Sequence, residues 1–388
     1  METGSSPSEG QSARKRATTA GGPALAARAR DPLRVWRRLL RVPGALAVAK
    51  ETRVGTTACD VVYARGSHRL LRYRRETAAT WAEPVLFCYA LINRSYILDL
   101  QPDKSVVRQY LARGFDVYMI DWGVPACGDS RLTLEHYVRF LEEAALFVLR
   151  ERGREELHLL GYCMGGTFSA LLAALRPALV KSLTLLAAPI EFGIKDSLLN
   201  VWTDREYFDA DEFVNAHGNC PAWFLQLCFQ NMKPVQNLLQ KHISMFENLE
   251  DPRFIASFFA MERWVNDNIP VAGETFRVFV KDLYQGNRLV RGELRLGDER
   301  VDLGRITCPL LLLTATNDHL VSPASTEGIR PHVGSRDVQS IQIDAGHVGL
   351  VVGGKAQKAV WPQATQWLAS RSTSTPTSRP NSTERHPS

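Results

Sequence analysis

The sequence predicts an α/β fold in which a mostly parallel sheet is covered by helices on both faces, and three observations support this. Strand-like apolar runs alternate with helix-like amphipathic runs from about residue 67 to 188 and again from 309 to 370. The apolar runs have the length of buried strands, well short of the ~20 residues that cross a membrane. The composition, 45% hydrophobic and 23% charged, is that of an ordinary globular protein.

The elements follow in order along the chain. Strands are predicted at 85–91, 115–120, 157–160, 182–187, 310–315 and 338–343, and helices at 104–113, 134–152, 165–175 and 356–368. Two of the helices are followed by a glycine, Gly114 and Gly153. Glycine adopts the left-handed conformation that ends many helices, so both helix ends are well defined.

The alternation is interrupted between residues 189 and 308. This segment is rich in large apolar side chains, namely Trp202, Phe208, Trp223, Phe224, Phe229, Met232, Met245, Phe258, Phe259, Met261 and Trp264. We expect a mainly helical cap inserted over the site. A plain second core would have the same composition.

The N-terminal region carries most of the excess charge of the chain, which has 47 basic and 41 acidic side chains. Residues 1–30 and 371–388 are predicted to be disordered tails. Residues 31–66 form an N-terminal segment with an amphipathic helix at 33–40. This helix either packs on its own domain or adsorbs to an apolar or anionic surface. No basic-aromatic pattern runs through the body, so nucleic-acid binding is not expected.

The seven cysteines are scattered and show neither a disulfide framework nor the spacing of a zinc site. We therefore expect a reducing, cytoplasmic location, no bound metal and no cofactor.

The run Gly161-Tyr162-Cys163-Met164-Gly165-Gly166 lies between a predicted strand and a helix of small residues. This is the form of a nucleophile elbow, in which the nucleophile occupies a strained turn. Glycines two positions before and after it are needed because backbone segments approach closely there. Cys163 is therefore the predicted nucleophile, and the helix N-terminus would favour its thiolate.

An acid and a base follow Cys163 in the chain order that an α/β-hydrolase fold uses. Asp318 comes after the strand at 310–315, and His347 after the strand at 338–343. His347 is predicted to take the thiol proton, with Asp318 orienting its ring. The predicted oxyanion donors are the backbone amide of Met164 and an amide in the loop after strand 85–91, at Ile92 or its neighbour Leu91.

The alternatives at these positions are structural. His319 is a weaker candidate for the base because it directly adjoins the acid. The other six cysteines are expected to be small packed side chains.

The chain resembles the polyhydroxyalkanoate synthases, whose active-site box has the form Gly-x-Cys-x-Gly-Gly. Further matching segments are residues 89–103, 115–123, 272–277, 281–285, 318–321, 346–349 and 354–358. The short chain and the segment Gly354-Lys355-Ala356-Gln357-Lys358 are most similar to the class III catalytic subunit. By position, the family's nucleophile, acid and base fall on Cys163, Asp318 and His347.

The resemblance implies polymerisation of 3-hydroxyacyl-CoA, expected to be 3-hydroxybutyryl-CoA, with release of CoA. It also implies a covalent thioester on Cys163, contact with the polyester chain and granule surface, and a second synthase subunit or a homodimer. Two other functions stay open. One is a cysteine-dependent thioesterase or lactone hydrolase, and the other is a catalytically silent granule-surface scaffold.

Overall fold

The computed structural model describes residues 40–232 and 240–375. Within these ranges the chain forms an eight-stranded sheet. Its strands are β1 Cys59–Arg65, β2 His68–Tyr73, β3 Val85–Cys88, β4 Val117–Asp121, β5 Leu157–Tyr162, β6 Val180–Leu186, β7 Leu310–Ala315 and β8 Val338–Ile343. The spatial order is β1-β2-β4-β3-β5-β6-β7-β8. The predicted α/β fold is confirmed.

Strands β3 to β8 pair in parallel, whereas β1 and β2 pair antiparallel to each other, and β2 antiparallel to β4. Strands β5 and β7 are buried along their whole length because helices cover both faces of the sheet. The carboxyl ends of β3, β5, β7 and β8 therefore meet at one edge.

The helices surround this sheet and extend into the segment between 189 and 308. They are α1 Val42–Glu51, α2 Val106–Ala112, α3 Leu134–Arg152, α4 Met164–Leu175, α5 Leu198–Trp202, α6 Ala210–His217, α7 Ala222–Met232, α8 Lys241–Glu247, α9 Pro252–Asn266, α10 Gly273–Val278, α11 Pro323–Glu327, α12 Gly349–Val352 and α13 Trp361–Ala369. A π-helical stretch, Phe279–Gln285, continues α10, and another, Ala356–Val360, precedes α13.

Shorter elements complete the described chain. Two-stranded ribbons pair Asp99–Gln101 with Lys104–Ser105, and Arg295–Leu296 with Glu299–Arg300. Single 3-10 turns occur at Ser95–Leu98, Cys127–Arg131, Pro177–Leu179, Leu303–Arg305 and Arg330–His332.

Helix α3 shows how the sequence determines a helix and both its ends. It begins after Thr133, whose backbone N–H donates to Nδ1 of His136 at 3.2 Å. An apolar stripe from Leu134 to Leu149 is buried, while the last turn is basic, which suits the negative end of the helix dipole. Gly153 ends the helix in the left-handed conformation, with φ 59°. The predicted bounds are confirmed.

Two parts of the sheet region lie beyond the predicted bounds. β1 joins the sheet although it precedes residue 67, where the predicted core begins. Residues 371–375, predicted to belong to a disordered tail, pair with the core: Thr373 donates from its backbone N–H and its hydroxyl to Glu83, each at 2.8 Å. The Ser and Thr residues that suggested disorder supply hydrogen bonds here.

Several predicted features fall outside the described residues. These are the tail 1–30, the helix 33–40 apart from Leu40, and residues 376–388. In the described part of the chain, no helix has the length and apolar character needed to cross a membrane.

We predict that Gly153→Ala lowers the free energy of unfolding by about 1 kcal/mol, because a side chain disfavours the left-handed conformation there. A Cβ at this position would meet no atom within 4 Å, so the effect isolates backbone strain. Gly128→Ala is the matched control, since it also has open space but no positive φ. Equal denaturant midpoints for the two variants would contradict this account.

Candidate active site

Cys163 occupies the turn between β5 and α4, with φ 54° and ψ −125°. A positive φ is unfavourable for a residue with a side chain and persists only where the surroundings enforce it. Here the N–H of Cys163 donates to the carbonyl of Leu186 at 2.9 Å, and its own carbonyl accepts from Gly166 N–H at 2.8 Å. These two bonds hold the strained turn from both sides.

The glycines around Cys163 permit close contact between backbone segments, as the sequence predicts. A Cβ on Gly165 would collide with the carbonyl of Cys88 at the end of β3. A Cβ on Gly161 would collide with the backbone of Gly166. A side chain at Gly165 would therefore separate α4 from the end of β3, and one at Gly161 would separate α4 from β5.

Asp318 and His347 meet at the same edge of the sheet as Cys163. Nδ1 of His347 lies 2.7 Å from Oδ2 of Asp318. The other carboxylate oxygen, Oδ1, accepts the N–H groups of Leu320 and Val321, each at 2.9 Å. Both side chains are buried, so the carboxylate is fixed and desolvated.

Nδ1 of His347 is engaged by Asp318, and Cys163 is close enough to act on the charge of the same ring. Burial disfavours the charged ring, but the opposing effects of Asp318 and Cys163 are larger together and raise the pKa of His347 to about 10. The ring also stacks on Tyr162, with centroids 5.1 Å apart. The geometry therefore favours an imidazolium held between the carboxylate and the sulfur.

A cavity of about 500 Å³ lies over this group, and both Cys163 and His347 line it. Most of its lining is apolar, and much of it comes from the segment between 189 and 308. The large side chains contributed by that segment include Leu225, Phe229, Phe258, Met261, Trp264 and Tyr284. Residues of this segment therefore share the cavity with Cys163.

The two predicted oxyanion donors lie in the lining of the same cavity. Met164 is the first residue of α4, where backbone N–H groups have no partner within the helix. Ile92 lies in the loop after β3, and its carbonyl accepts from Ile269 N–H at 2.9 Å. The roles of the two amides stay predictions.

His319, the weaker candidate for the base, is exposed and is not the residue that Asp318 orients. Among the other cysteines, Cys59 and Cys127 are exposed, so the expectation that they are packed side chains is wrong. Within residues 40–232 and 240–375, no cluster of three or more His, Cys, Asp or Glu could hold a metal ion.

A set of hydrogen bonds between the Ile92 loop and the end of α9 was not predicted from the sequence. Trp264 donates from Nε1 to the carbonyl of Arg94 at 3.0 Å, and Asn93 is hydrogen-bonded to Asn268. The bonded residues are about 170 positions apart, and polar loop residues carry no periodic signal that would pair them.

The fold and its neighbours define the class of protein. Residues 83–353 match the α/β hydrolase fold family. A putative lipase from Sulfolobus solfataricus is similar in structure, with a TM-score of 0.53 and 15% identity over 81% of this chain and 99% of that one. The chain is an α/β-hydrolase-fold protein with a cysteine at its elbow.

Closer relatives define the family. Residues 44–111 match the N-terminus of poly-beta-hydroxybutyrate polymerase (PhaC). The poly(3-hydroxyalkanoate) polymerase subunit PhaC of Haloferax mediterranei is 42% identical over 323 residues, 83% of this chain and 66% of that protein. Its counterpart in Allochromatium vinosum is 40% identical over 82% of this chain and 90% of that protein. The chain belongs to the family of poly(3-hydroxyalkanoate) polymerase subunits PhaC, which confirms the resemblance seen in the sequence.

We predict that the stability deficit of His347→Gln shrinks as the pH rises. Folding raises the pKa of His347, so proton binding to this ring stabilises the folded state. The contribution is complete below the unfolded pKa of about 6.5 and is lost as the pH approaches 10. Urea unfolding should show the deficit in the free energy of unfolding falling progressively between pH 7 and 10. His319→Gln is the control, and a deficit independent of pH in His347→Gln would contradict the assignment.

Proposed function

We propose that this chain polymerises 3-hydroxyacyl-CoA into polyhydroxyalkanoate, with release of CoA, through a covalent thioester on Cys163. As a member of its family the chain is an acyltransferase-type enzyme that forms polyhydroxyalkanoate. Beyond this family activity, we propose the monomer, expected to be 3-hydroxybutyryl-CoA, and the covalent steps. The observation that carries them is the hydrogen-bonded His347–Asp318 pair, which shares an apolar cavity with Cys163.

Loading begins with attack of the Cys163 thiolate on the carbonyl carbon of the CoA thioester. Backbone amides at Met164 and Ile92 stabilise the negative charge that develops on the carbonyl oxygen. The bond from carbonyl carbon to CoA sulfur then breaks, and CoA leaves with the proton that His347 holds. The acyl group remains on Cys163.

Chain growth follows when a 3-hydroxyl group attacks the acyl-Cys163 thioester. His347, now neutral, takes the hydroxyl proton, and Asp318 stabilises the imidazolium that forms. An ester bond replaces the thioester, and the Cys163 thiolate is regenerated. If the hydroxyl belongs to a new monomer, the product still ends in a CoA thioester, which Cys163 takes up again with release of CoA.

Water must be excluded because it would hydrolyse the acyl-enzyme in place of the hydroxyl group. We assign residues 189–308 to a cap with this task. Its support is the apolar lining that Phe229, Phe258, Met261 and Trp264 place over Cys163. In this assignment, residues 67–188 and 309–370 form the catalytic core, extended by β1.

The setting of the enzyme follows from its product. We propose that the chain works in the cytoplasm at the surface of polyester granules, where the insoluble polymer collects. A second synthase subunit, a homodimer or both would complete the enzyme, as the resemblance to class III catalytic subunits implies.

We predict that the purified chain, given 3-hydroxybutyryl-CoA with and without a candidate second subunit, releases CoA and forms polymer. Cys163→Ala should lose all detectable CoA release because no acyl-enzyme can form. Cys127→Ala, which changes an exposed cysteine, is the matched control and should behave like the wild type.

Each alternative function has its own outcome in this experiment. Release of free 3-hydroxy acid without polymer would indicate a hydrolase. Unchanged function in Cys163→Ala would indicate a scaffold. Either result would overturn the proposed polymerase mechanism.

A further inference from the structure

The loop that carries Ile92 is hydrogen-bonded to the segment 189–308, which we call the insertion. We call the bonded residues the oxyanion clamp: Trp264, Asp267, Asn268 and Ile269 on the insertion, and Ile92, Asn93, Arg94 and Tyr96 on the loop. Among the described residues, all the hydrogen bonds of Ile92 and Asn93 run to positions 264–269. The insertion therefore determines where this part of the loop lies.

The bonds of the clamp are of three kinds. Ile269 N–H donates to the carbonyl of Ile92 at 2.9 Å, and the Trp264 indole N–H donates to the carbonyl of Arg94 at 3.0 Å. These two fix the loop backbone on either side of residue 93.

The third kind involves side chains on both partners. Asp267 accepts from Arg94 Nε at 3.2 Å and from the Tyr96 hydroxyl at 3.0 Å. Asn93 also bonds to Asn268. In addition, Nδ2 of Asn93 donates to the backbone carbonyl of Trp264 at 3.4 Å. Four residues of the loop, at positions 92, 93, 94 and 96, are thus bonded to the insertion.

The core contacts the loop at its start and at its end. The carbonyl of Tyr89, just after β3, accepts from Trp122 Nε1 at 2.9 Å. The loop ends in the 3-10 turn Ser95–Leu98, in which Ile97 and Leu98 are buried. The predicted donor at Ile92 lies between these two anchors, where the hydrogen bonds described above run to the insertion.

We propose that Trp264, Asp267 and Asn268 are positioning residues that build the second half of the oxyanion site from the insertion. The clamp places the Ile92 loop where its backbone amide can meet the oxyanion that forms on the thioester carbonyl. This inference rests on the proposed function, because it needs an oxyanion at Cys163.

Trp264→Phe tests the clamp because it removes the indole N–H and keeps a large aromatic ring in the cavity wall. We expect kcat for CoA release from 3-hydroxybutyryl-CoA to fall at least about tenfold, since small misplacements of oxyanion donors are costly. Alkylation of Cys163 by iodoacetamide should stay within about twofold of the wild-type rate. That reaction displaces iodide from a saturated carbon and develops no oxyanion.

The matched control is Trp223→Phe, a change of an exposed tryptophan in the same insertion that does not line the cavity. It should retain the wild-type kcat. A second clamp variant, Asp267→Ala, removes the bonds to Arg94 and Tyr96 at a partly exposed side chain. It should also lower kcat without slowing alkylation, and it decides the question if Trp264→Phe does not fold.

The outcomes separate the clamp from the proposed function. If both clamp variants keep the kcat of Trp223→Phe, or if their alkylation slows in parallel with kcat, the clamp is overturned while the polymerase mechanism stands. If the wild-type chain itself releases no CoA, the proposed function fails and the clamp with it.

Discussion

The strained backbone of Cys163 is the constraint on which the site depends. A side chain at φ 54° is unfavourable, and the turn exists because β5, α4 and the end of β3 approach too closely for any Cβ at Gly161 or Gly165. Met164, the residue that follows Cys163, is the first residue of α4. Packing of the sheet and helices thus stabilises a conformation that the local sequence alone would not adopt.

Much of the core could be predicted from the sequence because its signals are local. The sequence of helix α3 indicates where the helix begins and ends, and β7 begins with an apolar run, Leu310 to Leu313. The order of Cys163, Asp318 and His347 on a parallel sheet predicts a meeting point, since carboxyl ends of parallel strands share one edge. The structure brings Asp318 and His347 to hydrogen-bonding distance there.

The rest could not be predicted because its signals are distant in the chain or weak. β1 is an edge strand and β2 is its neighbour, and both have few buried residues, so they lack a clear apolar pattern. The oxyanion clamp joins polar loop residues that have no periodicity. Helix α9 has two packed faces, one towards α1 at Ala45 and one lining the cavity, and no sequence pattern distinguishes them.

Growth of the polymer on Cys163 can be tested by the mass of the peptide that contains this residue, after brief incubation with 3-hydroxybutyryl-CoA and acid quenching. We expect a series of adducts on Cys163 that differ by one 3-hydroxybutyryl unit, because this sulfur carries the growing chain. Adducts on another residue, or none longer than a single unit while polymer accumulates, would contradict it.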